Sequence, residues 1–268
     1  MGRERNIRLL TCCLALTLLC GCGAFQEEAS GEQELPQLVI GSDNYEPYSY
    51  LDSDGDFAGV DVELAQEACR RLGYQPVFRQ IVWEDKDEDL STGQVDCLWG
   101  SFTMTGREDR YEWAGPYLYS RQVVVVRANS SIRTLADLEG CRVAVQATAK
   151  PESVLLERSD NRIPVVGAVY CFSSMNEIYA CLRKDYADAI AGHESALNTF
   201  LQTAPGAYRM LEENLYISQL GVAFEKGTHQ ELAAQLTQTL QEMREDGSAR
   251  TIVEKYGLDS RQALEGEP

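Results

Sequence analysis

Histidine is scarce, with only His193 and His229 in 268 residues. That leaves no room for a histidine-rich metal site or a generic histidine-based triad. Basic residues are also short, 24 Lys and Arg against 42 Asp and Glu. A formal charge of -18 argues against a nucleic-acid binder, which needs a basic face to meet phosphates. After residue 19 no segment is apolar for long enough to cross a membrane. G-x-S-x-G, P-loop and G-x-G-x-x-G patterns are missing, and no cysteines beyond residue 22 have C-x-x-C spacing. No cofactor or metal is therefore expected. Asp52, Asp54, Asp56 and Glu63 have calcium-loop spacing, but Phe57 stands where the sharp turn needs Gly, so a hairpin turn is expected. What remains, 44% apolar and 25% charged residues, is an ordinary globular composition with length for one large or two modest domains.

The N-terminus carries a processing signal. Arg3, Arg5 and Arg8 precede an apolar stretch from Leu9 to Leu19, about half the length of a membrane-spanning helix. Leu19-Cys20-Gly21-Cys22 then resembles a bacterial lipobox, which implies removal of residues 1–21 and lipidation of Cys22. Residues 22–37 are polar and unpatterned and read as a flexible tether. Losing Arg3, Arg5, Arg8 and Glu4 makes the mature chain more acidic still, which suits a soluble domain on a tether. With Cys22 acylated, Cys69, Cys97, Cys141, Cys171 and Cys181 remain, an odd number that cannot all pair. Cys69 and Cys97 read as buried thiols; Cys171 with Cys181 is left open.

Beyond the tether, strand and helix signals alternate. Short apolar strands are expected at 38–40, 95–99, 122–127, 142–145, 187–191 and 220–224. Helical periodicity appears in Val62, Ala65, Cys69 and Leu72 before Gly73, and again from Leu232 to Met243 before Gly247. This alternation implies an α/β architecture with mostly parallel sheets. One internal echo stands out. Asp96-Cys97-Leu98-Trp99-Gly100-Ser101 is repeated in pattern by Asp188-Ala189-Ile190-Ala191-Gly192-His193. Two similar lobes would face each other beyond the carboxyl ends of their strands, where ligands of α/β sheets sit.

From about Leu38 to Gly257 the chain resembles the bacterial extracellular solute-binding proteins of family 3, which deliver amino acids to ABC importers. The matching stretches include Gly41-Ser42-Asp43 through Tyr48, Gly59 through Ala65, Gly93 through Asp96, Arg107 through Tyr117, Asp137 through Gln146, Gly221 through Phe224, and Met243 through Gly257. The resemblance implies a two-lobed periplasmic-binding-protein-like fold, each lobe a mixed, mostly parallel sheet flanked by helices. Lobe 1 would comprise 38–122 and 222–260, and lobe 2 residues 123–221. Two crossover segments, near 123–127 and 217–222, would act as a hinge, and 261–268 would be a polar tail.

A free amino acid needs a guanidinium for its carboxylate, acceptors for its ammonium and a surface for its side chain. The resemblance puts the carboxylate on Arg107, six residues before Trp113, with Arg110 as rival because the stretch from Asp96 appears one residue short. Gly100, Ser101 and Thr103 would offer backbone groups and hydroxyls, and Thr148, in the loop Gln146–Lys150, would meet the carboxylate. Tyr45 and Trp83 match positions flanking the ligand; Tyr48 and Trp99 are further aromatic candidates, Trp99 reading as core. Asp43 matches a position that meets polar ligand groups. The usual ammonium-binding Asp is replaced by His193, with Glu194 next to it. Either Glu194 serves in its place, or the pair caps the following helix, or the ligand is not an α-amino acid.

The reading is a monomeric binding component, lipid-anchored at Cys22 to the outer face of the cytoplasmic membrane. It would capture a small polar solute, an amino acid in the first instance, for an ABC permease, without chemistry of its own. Rival readings are a ligand sensor for a membrane signalling partner, and a dehydratase-like enzyme using His193 and Glu194 as acid and base.

Overall fold

The first half of the chain alternates short strands with helices: β1 Gln37–Ser42, β2 Tyr50–Leu51, β3 Phe57–Ala58, α1 Val60–Leu72, β4 Gln75–Gln80, α2 Lys86–Ser91 and β5 Cys97–Leu98. A 16-residue strand, β6 Glu112–Arg127, leads into β7 Arg142–Gln146, α3 Lys150–Glu157, β8 Ala168–Phe172, α4 Met175–Arg183, β9 Ala189–His193, α5 Glu194–Gln202 and β10 Tyr208–Met210. Strand β11 Tyr216–Phe224 returns to the first half, and α6 Gln230–Glu245, α7 Ser248–Lys255 and α8 Ser260–Glu265 complete it. This computed structural model describes residues 34–158 and 160–266. The expected signal, lipidation site and most of the tether lie outside the described residues.

Nine of the strands form one sheet, ordered β4-β1-β5-β11-β6-β9-β7-β8 with β10 also on β6, and β2 pairs with β3 in a separate hairpin. Each end is parallel (β4, β1 and β5; β9, β7 and β8), whereas β6 and β11 run antiparallel to each other through the middle. The fold is therefore α/β with two parallel halves joined by two long strands. Val123 and Val125 enter one apolar cluster, Val124 and Val126 another, so β6 is covered on both faces there. Beside the cleft, Trp83, Leu90, Leu98 and Phe102 make a third cluster. No helix among the described residues is long and apolar enough to cross a membrane.

Local chemistry accounts for the element ends. Helix α1 starts after Gly59, whose φ of 127° and approach to Tyr48 leave no space for a side chain: a Cβ would lie 2.2 Å from the Tyr48 carbonyl oxygen. It stops at Gly73 in the left-handed conformation. The Asp-rich stretch after Leu51 is the expected hairpin turn, with Asp52 Oδ1 accepting from the amides of Asp54 and Asp56.

Several expectations need adjusting. Strands β6 and β11 extend well beyond 122–127 and 220–224, because their added residues mix buried with partly exposed positions rather than forming an apolar run. Strand β9 sits two residues later than expected. Residues 261–265, expected in a polar tail, are helical: Asp259 caps α8, which buries Ala263 and Leu264. All five cysteines of the described residues are free, Cys171 exposed on β8 and Cys181 buried on α4.

Candidate functional site

The sequence echo has a physical basis. Asp96 accepts the Val39 amide at 2.7 Å while its own amide donates to the Val39 carbonyl at 2.8 Å, locking the loop before β5 to β1. Asp188 does the same with Arg142, at 2.9 Å both ways, and also holds the Arg142 guanidinium. Each paired strand then ends in a glycine followed by a residue of the cleft: Gly100-Ser101 after β5, Gly192-His193 at the end of β9.

The cleft opens at the carboxyl ends of β1, β5, β7 and β9, where parallel strands present backbone and side-chain groups together. From the first half it is lined by Asp43, Tyr45, Trp83, Gly100, Ser101, Thr103 and Arg107. His193 lines it from the second half. Gly100 allows close approach, since a Cβ there would meet Ser42 Oγ at 2.5 Å. Ser101 is held at φ 48° by Asp61, whose Oδ2 accepts the Ser101 amide at 2.6 Å and the Tyr117 hydroxyl at 2.9 Å. Thr103 donates to Ser218 Oγ at 3.1 Å, and its carbonyl accepts from Arg107 Nη1 at 3.1 Å.

Two of the ten expected positions lie elsewhere. Thr148 faces outward: its hydroxyl accepts from Lys86 Nζ at 2.9 Å, its carbonyl from Arg107 Nη2 at 3.2 Å, and its amide donates to Glu152. Glu194 turns to the opposite side of β6, pairing with Arg121 at 3.1 Å and accepting from Gln262 at 2.7 Å. Arg110 is outside the cleft, exposed and 3.4 Å from Asp87. Trp99 is core, and Tyr48 is buried 5.3 Å from the His193 ring. Residues not singled out from the sequence are Gln122, Gln146 and Lys150, which line the cleft, and Asp61 behind it. Gln146 and Lys150 bracket the quoted loop, but which of its side chains turn inward depends on the left-handed φ of 56° at Thr148.

The electrostatics are uneven. Burial pushes the Asp43 carboxyl up to about 6, against the Gln146 amide that donates to it, and pushes Asp61 up to about 7. Burial drives His193 down to about 3, so its imidazole is neutral, in contact with Ser120 Oγ at 2.9 Å and the Gln122 amide at 3.0 Å. Arg107, Lys150 and Lys86 are each lowered, first by burial and then by neighbouring cations. Contacts cross the cleft: Gln146 to Asp43, the His193 amide to the Tyr45 hydroxyl at 3.2 Å, and Ser173 to Glu84 at 2.6 Å. The cavity left is about 20 Å³, room for one water. No group of three or more His, Cys, Asp or Glu among the described residues could hold a metal ion.

Known proteins resemble this chain in sequence and fold. The chain is 25% identical over 258 residues to the L-cystine-binding protein TcyA of Bacillus subtilis, covering 91% of this chain and 93% of that protein. It is also 25% identical over 244 residues to the histidine-binding periplasmic protein of Salmonella typhimurium, covering 87% and 92%. Among solved structures, an ancestral arginine-binding protein bound to arginine superposes with a TM-score of 0.75 at 25% identity, over 82% of this chain and 97% of that one. An ancestral amino acid-binding protein that is a precursor of cyclohexadienyl dehydratase matches with a TM-score of 0.73 at 25% identity, over 82% and 95%. The model of the bacterial extracellular solute-binding proteins, family 3, matches residues 38–259, and the chain belongs to that family.

Proposed function

We propose that the protein captures an amino acid or closely related small polar solute outside the cytoplasmic membrane and presents it to an ABC permease. The observation that carries this reading is Arg107. Its guanidinium lines the cleft, uses two N–H groups on the carbonyls of Thr103 and Thr148, and has no carboxylate within ion-pair reach among the described residues. A planar fork with donors to spare is suited to a solute carboxylate. Tyr45 and Trp83 supply apolar walls, and Ser101 and Thr103 polar groups beside them.

In this reading lobe 1 is 38–122 with 222–260, lobe 2 is 123–221, and the segments near 123–127 and 217–222 flex as the lobes close. The passage of β6 and β11 through both halves supports it. Binding without chemistry is favoured because Glu194 is turned into its ion pair with Arg121, away from the cleft side of His193. The basic start, short apolar run and Cys22 support a lipid-anchored monomer on the outer face of the membrane.

Thermal unfolding with the twenty amino acids tests the assignment. A solute at a hundred times its dissociation constant raises stability by about 2.7 kcal/mol. Arg107→Ala is expected to abolish that rise while the midpoint of the free protein stays put. A rise that survives the substitution would remove Arg107 from the site.

A further inference from the structure

We propose that the cleft is built for a solute carrying two acidic groups, one held by the Arg107 guanidinium and the other by the Lys150 ammonium, with no requirement for an ammonium on the solute. This rests on the solute-capture reading above and names the chemical class within it.

Charge in the cleft is unbalanced. Its charged lining residues are Asp43, Arg107 and Lys150. Neither cation has a carboxylate within 4.0 Å among the described residues; Lys150 Nζ instead lies 5.2 Å from the Tyr216 ring. A third cation, Lys86, is 4% exposed just behind the wall and bonds only the Trp83 carbonyl and the Thr148 hydroxyl. Because the Thr148 carbonyl is bonded by Arg107, one residue ties two of these cations together. Arg107 and Lys150 are half-buried and Lys86 is buried, so each has lost hydration without gaining an ion pair, and an anionic solute would supply the missing charge.

The opposite charge has little to offer a solute ammonium. Asp43 is 7% exposed, and in the closed cleft its carboxyl accepts from the Gln146 amide. His193 is neutral, and Glu194 is committed to Arg121 and Gln262 on the far side. A solute with a cationic side chain would add a positive charge to a lining that already sets two cations against one carboxyl. Two acids at opposite ends of a short chain instead meet a donor each.

Calorimetric titration of the purified full chain with L-glutamate, L-aspartate, glutarate, succinate, L-glutamine and L-arginine tests this. The best diacid is expected to bind about 10- to 100-fold more tightly than L-glutamine and L-arginine, with glutarate or succinate within about tenfold of its amino counterpart. Lys150→Gln is expected to cost the diacids about tenfold or more while changing L-glutamine by less than about threefold. L-arginine or L-glutamine binding as tightly as any diacid, or Lys150→Gln affecting L-glutamine and the diacids alike, would overturn the proposal and leave solute capture standing. Failure of all six, together with no thermal response to the remaining amino acids, would remove both.

Discussion

At the scale of single residues, Asp61 shapes the cleft without lining it. One carboxylate oxygen accepts both the Ser101 amide and the Tyr117 hydroxyl, and the other has no partner. Asp61→Ala leaves two buried donors unmet, and a loss of about 1–3 kcal/mol is expected in urea unfolding. The pH dependence has a definite sign. Burial raises the Asp61 carboxyl from 3.8 to about 7, so its contribution to stability is fully present below 3.8 and is lost as pH rises through about 7. Asp43 acts in the same direction up to about 6. His193, lowered from 6.5 to about 3, opposes them: its contribution is present above 6.5 and is lost as pH falls toward 3. Asp61→Asn keeps an acceptor but removes the titration. Its stability relative to the native protein should therefore rise by more than about 1 kcal/mol between pH 4.5 and 7, read from unfolding midpoints at both pH values. A constant difference would mean that Asp61 ionises normally.

At the scale of elements, the two echo aspartates perform the same task with unequal support. Asp96 bonds the Val39 amide, whereas Asp188 bonds the Arg142 amide and both arms of its guanidinium. Asp96→Ala is expected to cost about 1–2 kcal/mol and Asp188→Ala about 1 kcal/mol more, measured by denaturant unfolding. Equal losses would show that the Arg142 pairing contributes nothing. These elements also show what could be read in advance. The echo, the apolar strands and the α1 boundary at Gly73 follow from local patterns, and the family motifs brought eight of ten expected positions to the cleft lining. Each miss has a local cause. Whether Thr148 or Lys150 faces inward is set by one left-handed residue between β7 and α3. Glu194 follows His193 directly at the end of β9, where neighbouring side chains point to opposite sides, so it leaves the cleft and meets Arg121 instead. Gln146 ends β7 and Lys150 opens α3, and at such element ends neither the strand period nor the helix period says which side chain turns inward. Helix α8 was hidden because only Ala263 and Leu264 mark its buried side.

At the scale of the whole molecule, the cleft is shut by contacts that lie on opposite sides of it, while only β6 and β11 join the halves by pairing through both. Some of those contacts touch the cavity, as Gln146 to Asp43 does, so altering them would disturb the site itself. Ser173 and Glu84 do not line it, yet their 2.6 Å hydrogen bond spans from the β8–α4 junction to the turn before α2. If the lobes part to admit a solute, this bond exists only in the closed form. Removing it then lowers the closed population without touching the solute, and apparent affinity falls by the same factor. An exposed hydrogen bond to a carboxylate contributes about 0.5–1.5 kcal/mol, so Ser173→Ala is expected to weaken binding by about 2- to 10-fold. The change should appear mainly as faster release in stopped-flow fluorescence of the cleft tryptophan Trp83, because the lost contact forms as the halves come together. The unfolding midpoint of the solute-free protein should move little, since surface substitutions are usually within about 0.5 kcal/mol. Unchanged affinity in Ser173→Ala would mean that this contact persists in both forms, and that the halves do not separate along this edge when the solute enters.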